Sequence, residues 1–552
     1  MSRAAVVAIG IVAAIVAAIG IAWVFRLEIL LEVVEISRRM DVAPTQAIEW
    51  QSGAAPAGRT EAQRPPNIVV ILADDLGWND LSWLGGGVAG GTVPTPQIDA
   101  LAQDGVHFAN GYAANGTCAP SRAALMTGRY STRFGFEFTP TPAGFSTMVP
   151  QLADTRPGTL RRNIVRDVGP SIPYNDMGMP ASEITLAELL KPAGYHNVHI
   201  GKWHLGLSGD MGPRAQGFDE SLLMASGLYL PEDHPEVVNS KQDFDGIDRF
   251  LWRAMNFAAS FNGGPPFAPG GYLTDYYTDQ AVRVIEANRD RPFFLYLAHW
   301  AVHTPLQALK ADYDALSHIE EHRLRVYAAM VRSLDRSVGR VLDALRENGL
   351  EENTLVFFTS DNGAPGYIGL PRVNAPFRGW KISFFEGGIH VPFFLKWPAR
   401  LTGGQTFDAP VHGFDIFATA AAAAGVELPS DRTIDGVDLV PYVEGVAEGV
   451  PHEKLFWRTG DYQVVIADGY KLQTNEPGGK TWLFHLEEDP TEQRNLADAE
   501  PKRVASLLKL LDEHNAAQAE PLWPSAITSP INIDKTLLDP DAPDDEFIYW
   551  FN

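Results

Sequence analysis

One cysteine, Cys118, is all the chain carries in 552 residues. That excludes a disulfide within the chain and any Cys-rich zinc or iron–sulfur site. Positive charge is also scarce: 44 Lys and Arg stand against 68 Asp and Glu, a net charge of −24. A global basic footprint is missing, which argues against a dedicated nucleic-acid binder. There is no internal repeat and no long low-complexity block. With 45% hydrophobic and 20% charged residues, the composition is that of a packed globular protein, not of a disordered chain, a collagen or a coiled coil. Gly 50 and Pro 40 without a period point to long ordered loops.

Long apolar runs are missing too, except at the start. Residues 4–25 are uncharged, with Arg3 before them and Arg26 after. At 1.5 Å rise per residue, a helix of that length crosses a bilayer. No convincing small-residue cleavage site follows, and the chain continues as helix with Glu28, Glu32 and Glu35 on one face. We read an uncleaved signal anchor with its short N-terminus inside, in preference to a cleaved signal. Either way residues 64–552 are exported, to a membrane-anchored, periplasmic or lumenal place. Residues 44–66, rich in Ala, Gly, Pro and Gln, read as a tether. The expected divisions are 1–26 anchor or signal, 27–63 helical extension and linker, 64–450 main domain and 451–552 C-terminal subdomain and tail.

Residues 67–73 are apolar without alternation, as in a parallel strand buried on both faces. Residues 198–200, 293–297 and 355–359 are similar. Helical patterns lie between them at 98–103, 121–126, 186–191, 276–286 and 322–346. Strands alternating with helices predict an α/β fold: a large, mostly parallel sheet sandwiched by helices. Near residue 450 the pattern changes to short strands at 455–458, 462–467 and 470–472, with Asp468-Gly469 as a hairpin turn, then a helix at 502–516. That predicts a small C-terminal α+β subdomain with an antiparallel sheet. The aromatic end, 547–551, is expected to dock on its own chain or on a partner subunit. Residues 257–272 form an aromatic, Gly- and Pro-rich loop that either lines a pocket or packs.

Asp74-Asp75 ends one buried strand and Asp361-Asn362-Gly363 ends another. Two adjacent carboxylates there must be solvated, paired or on a metal. Ligands of open α/β sheets bind at the carboxyl ends of strands. If the two ends meet, three carboxylates and an amide oxygen make a hard cage suited to Ca²⁺ or Mg²⁺. Cys118-Ala-Pro-Ser-Arg122 places a thiol at a helix start beside a cation. A core thiol is the plain alternative. A helix N-terminus with an arginine makes an anion site and is expected to lower a thiol pKa.

This segment resembles the signature of the type I, formylglycine-dependent sulfatases, Cys-x-Pro-Ser-Arg-x-x-x-x-Thr-Gly, and fits it from Cys118 to Gly128. The resemblance runs through nearly all of 66–500. It includes the first metal strand at 67–75 and Gly201-Lys202-Trp203-His204-Leu205-Gly206. Gly217-Phe218-Asp219, His303-Thr304-Pro305 and Ser360-Asp361-Asn362-Gly363 follow in the family's order. Arg378-Gly379-Trp380-Lys381 with Glu386-Gly387-Gly388 resembles the lysine loop. Residues 486–496 resemble the C-terminal subdomain motif. Two positions depart from it: Trp380 stands where a small residue is usual, and His390 where an arginine is common. Trp380 is expected to shape the substrate mouth, and His299 to be a packed neighbour of His303.

The resemblance implies an alkaline phosphatase/sulfatase-like fold and an arylsulfatase-like sulfuric ester hydrolase. It implies oxidation of Cys118 to formylglycine by a formylglycine-generating enzyme, with the aldehyde hydrate as nucleophile and a covalent enzyme–sulfate intermediate. It implies a Ca²⁺ (or Mg²⁺) site of Asp74, Asp75, Asp361 and Asn362, with residue 118 as a further ligand. Arg122 would hold the hydrate, Lys202 and Lys381 the sulfate oxygens. His303 with Lys381 would protonate the leaving oxygen, and His204 would take the proton that releases sulfate. Small-molecule and glycan sulfate esters are the substrate classes; the negative charge disfavours long polyanions, so an aryl or small alkyl sulfate fits better. The alternative is a phosphonate monoester or phosphodiester hydrolase of the same superfamily. A lipid-modifying phosphoryl transferase needs a threonine nucleophile and several membrane spans, and an inactive relative would lack some of these groups.

Overall fold

A computed structural model describes residues 2–54, 64–142, 144–154, 156, 158–169, 172–475 and 478–552. Nine strands form the main sheet. In chain order they are β1 (Asn67–Ala73), β2 (Val106–Phe108), β3 (His196–Gly201), β4 (Glu220–Gly227), β5 (Phe257–Phe261), β6 (Phe293–Ala298), β7 (Thr354–Ser360), β8 (Phe393–Lys396) and β9 (Gln405–Phe407). Across the sheet they run β9-β2-β8-β7-β1-β6-β3-β4-β5. The five central strands, β7 to β4, are mutually parallel; β8 and β5 pair antiparallel on either side.

The apolar run of β1 has a simple cause. Val69, Ile71 and Ala73 point into one core cluster, Ile68, Val70 and Leu72 into the other. A strand buried on both faces has no side for a polar residue, so alternation disappears. The four strands legible in the sequence are these doubly covered ones, β1, β3, β6 and β7.

The helices that matter below are α1 (Arg3–Val24), α2 (Arg26–Arg38), α3 (Cys118–Thr127), α4 (Phe145–Ala153), α5 (Gly246–Ala254), α6 (Leu273–Ala287), α7 (His322–Glu347) and α8 (Pro501–Asn515). On one face of the sheet, α7 packs on α6 and supplies Met330, Leu334 and Val338 to the first cluster. On the other, Ala119, Ala123 and Met126 of α3 join the second cluster. It continues into the C-terminal subdomain through Trp457, Val464 and Trp482. That subdomain is a four-stranded antiparallel sheet, β10 (Lys454–Thr459) to β13 (Lys480–His485) through β11 (Tyr462–Ala467) and β12 (Tyr470–Asn475), with α8 against it.

Three expectations resolve here. The aromatic end docks on its own chain: strand Phe547–Phe551 pairs with Ile527–Asn532, which also pairs with Ile164–Val165. The 257–272 loop packs; it opens as β5, and Phe267 and Tyr272 are buried. The tether is corrected for its first part. Residues 44–54 lie on the body because Ile48 and Trp50 bury there, and Trp50 Nε1 donates to Gln280 Oε1 at 3.0 Å. Of the rest of that stretch, 55–63 lie outside the described residues, and at its end Arg64 Nη2 donates to Asn67 Oδ1 at 2.9 Å.

Asp245 caps α5, accepting from the N–H groups of Ile247 and Asp248. Burial, with Asp248 beside it, pushes Asp245 up to about 8, and burial pushes Asp248 up to about 7. The unfolded chain releases these protons near pH 4, so the folded state holds protons the unfolded state lacks. This contribution to stability is full below about pH 4 and is gone once the pH rises past the folded values. Asp245→Asn keeps a capping oxygen without the charge. It is expected to flatten the fall of Tm as the pH rises through 7 and 8, read by thermal melts across that range.

Candidate active site

β1 and β7 are adjacent, parallel and in register to their ends, with Ala73 opposite Ser360. Asp74-Asp75 and Asp361-Asn362 therefore leave the sheet side by side, all four buried. Asp75 takes a left-handed backbone, φ +62°, which aspartate tolerates better than most residues. Asn362 Nδ2 donates to Asp75 Oδ1 at 2.7 Å, while Asn362 Oδ1 is buried without a partner. Cys118 Sγ lies 3.5 Å from Asp74 Oδ1 and 3.9 Å from Asp75 Oδ1. Ligand atoms of Asp74, Asp75, Cys118 and His303 all fall within 4.8 Å of one another. Carboxylates joined by an orphaned amide oxygen are the donor set of a hard cation, so the residues fit Ca²⁺ or Mg²⁺.

Three cations face the three carboxylates. Arg122, 0% exposed, directs Nε and Nη2 at Asp361 Oδ2, both at 2.8 Å. Its Nη2 also lies 3.3 Å from Asp74, and Nη1 donates to the Lys202 carbonyl. Lys202 Nζ is 2.6 Å from Asp74 Oδ2 and sits over the Trp300 ring. Lys381 Nζ is 2.7 Å from Asp75 Oδ1. Burial alone would raise Asp74, but Lys202, His303 and Arg122 outweigh it and hold the carboxyl below its usual range. Burial and the neighbouring Asp74 push Asp361 up to about 6. Burial alone would lower Lys381; Asp75 holds it well above the ordinary lysine value.

Cys118 opens α3, a helix with every residue buried. Thr127 Oγ1 bonds back to the Ala123 carbonyl, and Gly128, φ +68°, ends the helix where a side chain would strike Phe417. The Thr-Gly of the motif thus serves the helix end. The lowered thiol pKa expected from the sequence is corrected. Burial, then Asp361, pushes the thiol well up, because Arg122 spends its charge on Asp361 and Asp74.

His303 Nδ1 lies 2.6 Å from the Thr304 carbonyl, so Nδ1 carries the proton and Nε2 faces Asp75 at 3.6 Å. The ring stacks on Trp300 at 3.9 Å. His204, φ +64°, has a buried, unpartnered Nδ1. Burial and the surrounding cations hold both imidazoles well below the ordinary histidine range. His299 is the packed neighbour expected, its Nε2 on Ser337 Oγ at 2.9 Å. The sequence reading missed Trp300 and Tyr367, whose hydroxyl donates to Asp75 Oδ2 at 3.3 Å. Trp300 had one signal, its place three residues before His303.

The two departures have structural roles. Trp380 is buried under Gly366, where a Cβ would lie 2.9 Å from the indole, so it packs and does not line a mouth. His390 bonds Glu386 Oε2 at 2.7 Å and the Ala109 carbonyl at 2.8 Å. Glu386 begins a buried brace to the C-terminal subdomain. Lys471 Nζ lies 2.7 Å from Glu386 and 3.0 Å from Glu492, and Glu492 Oε2 accepts the Glu386 N–H. The brace fixes the loop that carries Lys381. Lys471→Met leaves two buried carboxylates facing each other and is expected to cost about 3–5 kcal/mol, read as a lower denaturant midpoint.

Residues 66–426 match the family model "Sulfatase". N-acetylgalactosamine-6-sulfatase of Mus musculus is 37% identical over 388 residues, 69% of this chain; the match spans about two thirds of that relative (66%). Steryl-sulfatase of Homo sapiens is 30% identical over 84% of this chain and 88% of its own length. The crystal structure of Ps i-CgsB with k-i-k-neocarrahexaose superposes with TM-score 0.69 at 28% identity, covering 83% of this chain and 95% of the other. The chain belongs to the sulfatase family of sulfuric ester hydrolases, on an alkaline-phosphatase-like fold.

Proposed function

We propose that the protein hydrolyses a sulfate monoester, an aryl or small alkyl sulfate, with residue 118 as nucleophile after its oxidation to formylglycine. The observation that carries this is the meeting of Asp74, Asp75, Asp361 and Asn362 around Cys118 at the ends of β1 and β7. The raised thiol pKa supports it, since a neutral buried thiol is a poor nucleophile in its own right. A Ca²⁺ (or Mg²⁺) held by those four residues would offset charge on a sulfate oxygen and acidify the hydroxyl at position 118. The chain's own groups do the rest. Arg122 orients residue 118. Lys202 and Lys381, now paired with Asp74 and Asp75, are the cations within reach of a sulfate. Lys381 is protonated at rest and His303 is not, so the proton for the leaving oxygen starts on Lys381, with His303 beside Asp75 assisting. His204, neutral and unpartnered at Nδ1, is the acceptor for the proton lost when the covalent sulfate is released. Maturation calls for a formylglycine-generating enzyme. Helix α1 is the membrane anchor, with the body exported.

The test is a panel of aryl sulfate, phosphonate monoester and phosphodiester substrates, with the mass of the peptide carrying position 118. Highest kcat/KM on the sulfate, with sulfur lost and an aldehyde gained, is expected; a phosphonate or phosphodiester preference overturns the reading. A strong chelator is expected to abolish turnover and Ca²⁺ to restore it, since no side chain can replace a divalent charge there.

A further inference from the structure

Helix α2 has three faces. Leu31 and Val34 pack on Met148, Val149 and Phe250 of α4 and α5. The acidic edge meets basic partners: Glu28 lies 2.6 Å from Arg249, and Glu32 and Glu35 lie 3.1 and 2.6 Å from Arg253. The third face is apolar and bare. Ile29, Val33 and Ile36, one stripe at helical spacing, are 47%, 55% and 74% exposed. A docked helix has no reason to present such a stripe to water.

What covers it follows from the chain itself. Among the described residues, α1 is the one helix long and apolar enough to span a bilayer, and none of that span is buried. It joins α2 at Phe25, whose carbonyl accepts the Ile29 N–H at 2.9 Å. The stripe therefore begins within four residues of the span. A second exposed apolar run lies beside α4: Leu160, Ile164, Val165 and Ile172 are exposed. Strand Ile164–Val165 packs on α4, and α4 on α2; Tyr174 lies within electrostatic reach of Arg38 at the end of α2. Arg161, Arg162 and Arg166 interleave that run, Arg161 over the Phe547 ring and Arg166 over Phe551, and Arg38 and Arg39 close α2. Asp41, Asp154 and Asp167 lie beside them in sequence and Asp541 accepts the Leu160 N–H, so the surface is aliphatic with arginines and carboxylates interspersed.

We propose that α2 lies in the plane of the membrane interface. Together with residues 160–169 and Ile172 it forms a second contact with an anionic bilayer, so the catalytic body rests on the surface instead of swinging from a tether. This rests on reading α1 as the anchor. A break in helical dihedrals at Phe25 (φ −94°, ψ 12°) and an apolar stripe flanked by arginines are the features of an interfacial helix. The grip of residues 44–54 on the body leaves no slack on the far side of α2.

The test uses the full chain in anionic vesicles that carry a shallow nitroxide lipid. Cys118→Ala removes the one native thiol, so a single fluorophore is placed by Val12→Cys, Ile36→Cys, Leu160→Cys or Lys509→Cys, the last on α8. Quenching at 12, 36 and 160 but not at 509 is expected. Charge reversal by Arg161→Glu/Arg162→Glu is expected to weaken contact at 160 by roughly fivefold per arginine on anionic vesicles. Quenching at 12 alone overturns the proposal and leaves the anchor standing. Quenching at none of these sites overturns both. Labels at 36 and 160 shielded from the lipid quencher and from aqueous iodide would mean that a second copy covers the face, which also overturns it.

Discussion

Cys118→Ala is expected to lower turnover by roughly 10⁵–10⁶, the scale of losing a nucleophile, with the fold unchanged. The argument for the second half is local. The side chain is only 3% exposed, yet its polar contacts are two long S–H contacts to Asp74 and Asp75 at 3.5 and 3.9 Å. Trading one sulfur for a small cavity costs about 1 kcal/mol, a Tm shift of about 1 °C in a chain this size. Steady-state rates and a thermal melt on the same preparation decide it. Near-normal turnover at a native Tm would end the mechanism proposed for residue 118.

Lys381→Met is expected to lower kcat/KM by about 10²–10³, the usual loss when one preorganised charge is taken from a transition state. Its ammonium holds both oxygens of Asp75, at 2.7 and 2.8 Å, so the variant also leaves a buried carboxylate short of a partner. The two effects separate by calorimetry with inorganic sulfate. If Lys381 binds the sulfate group, affinity for the free anion falls in Lys381→Met and in Lys202→Met, and stays near normal in Lys396→Met, which takes a buried cation from Glu351 and Asp104 away from the Asp75 end of the sheet. Equal sulfate affinity in all three would assign Lys381 a purely structural part.

Much of the fold and of the site is legible in the sequence. Runs such as 67–73 and 355–359 declare doubly buried strands, and carboxylates at the ends of two such strands need only adjacency to become a site. Register supplies that adjacency, and it is a long-range property: Ala73 and Ser360 are opposite because nine strands assemble in one order. The brace was illegible for the same reason. Nothing near Glu386 in the sequence points to Lys471, and the meaning of Glu492 within its motif appears only when its carboxylate reaches the Glu386 N–H. The acidic face of α2 was visible, but its partners Arg249 and Arg253 are more than 200 positions away. The thiol runs against its sequence context because burial, which the sequence does not show, is the largest influence on it, followed by Asp361, while Arg122 is committed to two carboxylates.

The brace also sets a clock. Cys118 is buried in the finished molecule, and the loop beside it gains its Glu386 brace only once Lys471 is made, 353 residues later (471 minus 118). At ribosomal speeds of about 5–20 residues per second, that leaves roughly 20–70 s in which the thiol is synthesised and the site is still incomplete. On the function proposed for residue 118, an enzyme that oxidises Sγ would have its opportunity then, on the emerging chain. Synthesis that outran the supply of that enzyme would then yield protein that is folded and inert, and its inactive fraction would record the race between translation and modification.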